Sequence, residues 1–337
     1  MSQFVNLVFE GGGVKGIAYA GALEILEQQN VMPDIRRVAG TSAGAITAVL
    51  VALGARSQDV AAIVGSTHFR AFMDDSFTIV GDIDRLIHEY GWYKGDAFAD
   101  WMRKQIHVLC GNSELTFAQL AAKAQTAGSA CRDLYIIGTN LSLQMPTVYS
   151  ADTTPDTPIW QAARISMSIP LFFASVMQAK QVLVDGGVTW NYPLDLFDDR
   201  KYVAPGSPWE PPLVDYPTAY DANHIFNKQT LGFRVDTQDE IKAEKESWGL
   251  PPQKIDNFVD YLRALVGFMN DMANKMHLHT NDWHRTVAID AGGVSATDFD
   301  LSDAQVQLLI GNGRTGTTNY FNWFNDPASA PPPINRI

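Results

Sequence analysis

Residues 4–16 read FVNLVFEGGGVKG. The apolar run from Phe4 to Phe9 predicts a short buried strand. After Gly13, the residues Val14, Ile17, Ala18, Leu23 and Leu26 recur at helical spacing as far as Gln29, where Asn30 and Pro33 close the helix. A strand that runs into glycines and then a helix opens a parallel α/β sheet. Gly11, Gly13 and Gly16 also fit G-x-G-x-x-G, the loop that cradles a dinucleotide pyrophosphate. That reading demands an acidic residue at the end of the second strand, to hold a ribose hydroxyl. Asp34 precedes the second strand, RRVAG (36–40), and the strand runs into TSAG instead. The dinucleotide-binding module, with no ester chemistry, fails on that count and stands only as an alternative.

The residues at that strand end, GTSAG (40–44), fit G-x-S-x-G and are followed by an almost wholly apolar helix ending at Gly54. In that context Ser42 is a candidate nucleophile on a tight strand-to-helix turn, with Gly40 and Gly44 permitting close backbone packing. The glycine loop then acquires a purpose. Acyl transfer from a serine passes through an oxyanion that needs fixed donors. Gly11, Gly12 and Gly13, before a helix N-terminus, can present N–H groups without side-chain obstruction. Two parallel strands ending side by side would put this loop beside Ser42, and Lys15 is a candidate to attract a substrate phosphate or carboxylate.

A serine needs a proton acceptor. None of the seven histidines (68, 88, 107, 224, 277, 279, 284) follows a strand in a small-residue turn, and no metal-ligand set is evident, so no metal and no cofactor is expected. Among the 37 acidic residues, Asp185 ends the apolar run QVLVD and precedes Gly186 and Gly187. Aspartate is a poor base beside histidine: reference values of about 3.9 and 6.5 amount to roughly 3.5 kcal/mol of proton affinity. Burial must raise its pKa, or strong oxyanion donors must help, if Asp185 is to serve.

The three motifs GGGVKG (11–16), GTSAG (40–44) and DGG (185–187), in this order, resemble the patatin-like phospholipases. ARISMSIPLFF (163–173) and the Asn191 and Pro193 that trail DGG resemble the same family. The resemblance implies a three-layer α/β/α sandwich around a mostly parallel sheet. It also implies a dyad of Ser42 and Asp185 without histidine, an oxyanion hole at Gly11, Gly12 and Gly13, and hydrolysis of acyl esters of phospholipids or other lipids without metal. A transacylase using the same dyad is the nearest alternative. The implied partners are the lipid ester and, transiently, a membrane surface. A phospholipase free in a cell would attack its own membranes, so a regulatory partner or ligand is a reasonable expectation, though no residue identifies one.

The remaining sequence is consistent with this. The chain has 337 residues, 46% of them hydrophobic, and a net charge of −12. That is enough to bury a large core, and the acidic balance argues against nucleic acid and against electrostatic adhesion to anionic lipid. Cys110 and Cys131 support neither a disulfide framework nor a metal site. The N-terminus lacks a basic n-region, and the longest apolar stretch is too short to span a bilayer, which implies a cytoplasmic protein. Strands are predicted at 134–141, 147–151, 173–178, 181–185, 231–236 and 286–290. Helices are predicted at 57–66, 96–110, 117–126, 159–167, 254–276 and from Ser302–Asp303 onward. One domain over 1–326 is expected, with irregular insertions at about 67–95 and 188–229 and a proline-rich tail at 327–337. Residues of 67–95, with Leu171, Phe172 and Phe173, are candidates to line an acyl channel or lid.

Overall fold

The computed structural model describes residues 2–67, 69–73, 89–203, 223–247, 254–278 and 281–334. Much of the first expected insertion (68 and 74–88, with His68, Phe77, Ile79 and His88), part of the second (204–222), His279 and the last three residues of the tail lie outside the described residues.

The apolar run before the glycines forms β1 (Asn6–Phe9), buried throughout. It pairs in parallel with β2 (Arg37–Thr41), with Phe9 level with Gly40, and on its other side with β9 (Thr230–Asp236). β10 (Thr286–Asp290) extends this edge in parallel, and β4 (Asp133–Asn140) continues in parallel beyond β2. Antiparallel strands complete the sheet: β5 (Met145–Tyr149) and β8 (Gln181–Asp185) on β4, and β7 (Val176–Gln178) on β8. The eight strands run β10-β9-β1-β2-β4-β8-β7, with β5 off this path. β3 (Gly91–Tyr93) and β6 (Leu171–Phe173) form a separate parallel pair.

Alternate residues of β1 serve different layers, as the period of a strand requires. Leu7 and Phe9 join the main core with α1 (Ala18–Gln28), α2 (Ala43–Ala52), α3 (Ser57–Gly65), α4 (Asp96–Cys110), α5 (Phe117–Ala124), α6 (Ile159–Ser166) and α9 (Asp303–Asn325). Val8 turns to the opposite side, where Ala39 and Tyr135 pack against Tyr192, Leu194, Phe197 and Leu278. That second layer is built from short turns after β8 and the end of α8 (Phe258–His277). α2 is apolar all round and buried from Gly44 to Ala52, as a helix trapped between sheet and other helices must be. α9 starts on a capping box of Ser302 and Gln305 and packs along α1.

Three sequence expectations change. The single strand at 173–178 is two, because Phe173 pairs with β3 while Val176 pairs with β8. The long helix expected from Lys254 starts at Phe258, where the Asn257 side chain accepts the Asp260 N–H and caps it. A highly charged helix, α7 (Gln238–Ser247), follows β9 where none was expected.

Candidate active site

β2 and β8 lie on the same side of β4, end to end. β2 pairs with β4 up to Thr41–Ile137, and β8, running the other way, begins its pairing at Asp185–Gly138. Since β5 occupies the opposite side of β4 over residues 136–140, the two strand ends must abut. The sequence places Asp185 at the end of an apolar run; the antiparallel course of β8 brings that end onto the turn that holds Ser42. Gly186 makes this tolerable, because a Cβ there would overlap the Ile137 carbonyl and lie 2.9 Å from Thr41 Cγ2.

Ser42 sits at φ 53° and ψ −124°, a backbone conformation that L-residues seldom adopt. Its neighbours enforce the turn. A Cβ at Gly40 would overlap the Gly44 carbonyl, and one at Gly44 would overlap the Phe9 and Glu10 carbonyls. Gly16 allows the helix after the glycine loop to approach α2, since its missing Cβ would lie 3.0 Å from Ala43 Cβ. The Ser42 N–H donates to Ser166 Oγ at 2.9 Å, and Ser166 Oγ donates to the Ile137 carbonyl at 2.5 Å. Two residues on, the Ser168 carbonyl accepts the Asp185 N–H at 2.9 Å. The end of α6 thus holds both strand ends. The sequence resemblance covers these serines without assigning them a part; their alternation after a buried helix was the available signal.

Asp185 is buried, and burial pushes its carboxyl up to about 7, against the pull of the Gly187 N–H and the Ser42 hydroxyl. Gly187 donates to Oδ1 at 2.7 Å, while Oδ2 has no hydrogen-bond partner among the described residues. The Ser42 hydroxyl faces the carboxyl closely enough to lower its pKa, short of an aligned hydrogen bond. A Cβ at Gly187 would stand 2.8 Å from Asn270 Oδ1, 2.9 Å from Asn191 Oδ1 and 3.1 Å from Asp185 Oδ1. Three acceptor oxygens therefore crowd this turn.

The glycine loop reaches the same place. Gly12 and Gly13 line one cleft with Ser42 and Asp185; its apolar walls are Ile169, Pro170, Val188, Val266 and Met269. Gly13 takes φ 55° beneath the Ala296 carbonyl, which leaves no room for a Cβ. The N–H groups of Gly12 and Gly13 have no acceptor among the described residues, whereas the Gly11 N–H is committed to the Asn191 carbonyl at 3.0 Å. Gly11 therefore serves as an anchor, not as a free donor. Asn191 holds it a second time, donating Nδ2 to the Gly11 carbonyl at 3.1 Å.

Other candidates fall elsewhere. Lys15 is buried and paired with Glu240 at 3.5 Å, lining a separate polar cavity on the far side of the glycine loop. Phe172 and Phe173 belong to the main core, and the cleft wall is supplied by Ile169 and Pro170 just before them. His277 stacks on Trp190 with ring centroids 4.9 Å apart, and among the described residues no histidine lines the cleft.

A serine on a strand–helix elbow, next to a buried carboxyl and a glycine loop with unspent donors, defines a site of the serine esterase class. The chain belongs to the patatin-like phospholipase family, whose model matches residues 7–198. Among its relatives is the uncharacterized protein YqhO of Bacillus subtilis, 28% identical over 331 residues, spanning 94% of this chain and 97% of that one. Lysophospholipase nte1 of Aspergillus fumigatus is 27% identical over 192 residues, 57% of this chain and 11% of that much longer protein. VipD from Legionella pneumophila shares the fold, with a TM-score of 0.57 at 16% identity over 95% of this chain and 67% of that one. The family membership makes this chain an enzyme of the phospholipase type.

Proposed function

We propose that the protein hydrolyses fatty acyl esters of phospholipids or lysophospholipids through Ser42 and Asp185. Ser42 Oγ attacks the ester carbonyl while Asp185 Oδ2 takes its proton. The N–H groups of Gly12 and Gly13 hold the oxyanion, and collapse of the tetrahedral intermediate expels the alcohol, which takes up the proton. Water, deprotonated by Asp185, then attacks the acyl-serine and releases the fatty acid. The observation that carries this reading is the end-to-end meeting of β2 and β8, which sets a strained serine against a carboxyl whose pKa is near 7. A carboxylate with that affinity recovers most of the deficit that an ordinary aspartate suffers as a base.

The cleft of about 50 Å³ has room for a few waters and none for a fatty chain. α8 forms its roof through Val266, Met269 and Asn270. The opposite side of α8 carries Tyr261, Phe268, Met272 and Met276, 44–76% exposed. A roof that is apolar on both sides fits transient contact with a lipid surface, where the outer side chains meet acyl chains as the helix shifts. Among the described residues no helix is long and apolar enough to cross a membrane. Fluorophosphonate labelling and mass spectrometry of products from a mixed phospholipid extract test the proposal. Wild type should be labelled and release free fatty acid, and Ser42→Ala should do neither; fatty acid release that survives in Ser42→Ala refutes it.

A further inference from the structure

The bonds between β2 and β4 keep one phase along their length. The Asp133 N–H donates to the Arg36 carbonyl at 2.9 Å, and the register then advances one for one from Arg37–Asp133 to Thr41–Ile137. In a parallel ladder a bonded residue uses both its N–H and its carbonyl, and every second residue repeats the pattern. Asp133, Tyr135 and Ile137 are therefore the bonded residues of β4, and the Ile137 carbonyl is due the N–H of Ser42. That last bond is made in two steps instead. The Ser42 N–H donates to Ser166 Oγ at 2.9 Å, and Ser166 Oγ donates to the Ile137 carbonyl at 2.5 Å. One side-chain hydroxyl stands in the final rung of the ladder.

The insertion falls where the dyad is assembled. Gly186 packs against the same Ile137 carbonyl, 2.3 Å from where its Cβ would be, and Asp185 pairs with the next residue, Gly138. A direct rung would hold Ser42 on β4 and prolong the strand; the inserted oxygen meets its N–H at the point where the chain turns to φ 53° and ψ −124°. So unusual a backbone persists only when its surroundings over-determine it. Gly40 and Gly44 leave room for the turn, and the hydroxyl gives it a fixed polar contact. Ser166 is fully buried at the end of α6, so that contact has a firm seat. Two residues on, the Ser168 carbonyl holds the Asp185 N–H at 2.9 Å, and one helix end thereby grips the main chain of both dyad residues. Ser166 does not line the cleft, which keeps it away from the substrate.

We infer that Ser166 is a positioning residue for the Ser42–Asp185 pair, its inserted hydroxyl setting how far the nucleophile stands off β4 and how it meets the carboxyl. The inference rests on the hydrolase reading for its catalytic sense. Ser166→Ala removes the bridge and lets the Ile137 carbonyl take the Ser42 N–H directly. On a soluble short-chain ester its kcat should fall at least about tenfold with KM within about twofold, since moving a reacting group by about 1 Å costs up to about a hundredfold. Fluorophosphonate labelling should slow by the same factor. Thr317→Ala strips a buried hydroxyl that bonds the Gly313 carbonyl within α9, and so controls for a general loss of stability. Rates in Ser166→Ala that match wild type, or that fall no further than in Thr317→Ala, overturn the assignment. If the alanine variant does not fold, Ser166→Cys makes the same comparison with a weaker donor and acceptor; it should be labelled at least about fivefold more slowly, and labelling at the wild-type rate overturns the assignment. A crystal structure of Ser166→Ala tests the geometry without turnover: the Ser42 N–H should bond the Ile137 carbonyl and Ser42 Oγ should draw away from Asp185, whereas an unmoved Ser42 overturns the inference. Wild type that is neither labelled nor active refutes the hydrolase reading, and that crystal structure still decides whether Ser166 sets the position of Ser42.

Discussion

Ser42 is held at a positive φ by glycines on either side, and such a conformation in an L-residue costs of order 1–3 kcal/mol. The serine is thereby pushed out where its hydroxyl faces Asp185. Ser42→Ala should lower kcat by at least about a thousandfold while leaving the melting temperature near wild type, checked by ester turnover and thermal unfolding. Asp185→Asn should have a comparable effect, since the amide keeps the shape and loses the base. With Asp185 raised to about 7, kcat/KM should climb as pH rises through that value and then level off. A profile already flat from about pH 5 upward would exclude this carboxyl as the base. All three motifs were legible in the sequence for one physical reason: Gly13, Gly40, Gly44 and Gly186 mark backbone approaches that no side chain survives, and that requirement is local. The division of labour within the loop was not legible. Gly11 loses its N–H to the Asn191 carbonyl, 180 residues away, and no local pattern encodes that bond.

At the scale of elements, the roof of the site was the part the sequence concealed. α8 is apolar on the side that faces the dyad and again on the side that faces solvent, so its pattern reads as an ordinary long helix. Its position over the cleft follows from contacts with the turn after β8, a long-range matter. The direction of β8 was concealed too, because an apolar run ending in Asp-Gly-Gly reads the same whether its neighbour runs parallel or antiparallel. β6 and β7 read as one strand since only their partners differ. The charged α7 has no apolar stripe to announce it. If the exposed side chains of α8 meet lipid, Phe268→Ser should depress hydrolysis of phospholipid vesicles by about tenfold, in line with the loss of one buried aromatic. It should leave turnover of a soluble short-chain ester within about twofold, since Phe268 does not line the cleft. Equal losses on both substrates would mean that the outer face of α8 has no part in meeting the surface.

The molecule as a whole carries a net charge of −12, which favours apolar over electrostatic contact with membranes, and among its buried carboxyls Glu10 and Asp185 have raised proton affinities. Burial moves Glu10 from 4.5 to about 8 and Asp185 from 3.8 to about 7. Both groups bind protons more tightly in the folded chain than in the unfolded one. Their contribution to stability is therefore fully present below the ordinary values and is lost as pH rises through the raised ones. Asp133 and Asp198 shift in the same direction, and Glu240, held down chiefly by Lys15 against its own burial, shifts in the other. The melting temperature should fall between about pH 5 and about pH 8, the interval over which Asp185, the proposed base, acquires its charge. Glu10→Gln separates one part of this from the rest, because glutamine keeps the acceptor that Asn274 uses and cannot ionise. The variant should show a shallower decline than wild type across that interval, with the two curves closest at the acid end. Parallel curves would mean that Glu10 is already charged at low pH, stabilised by Arg234 in spite of its burial.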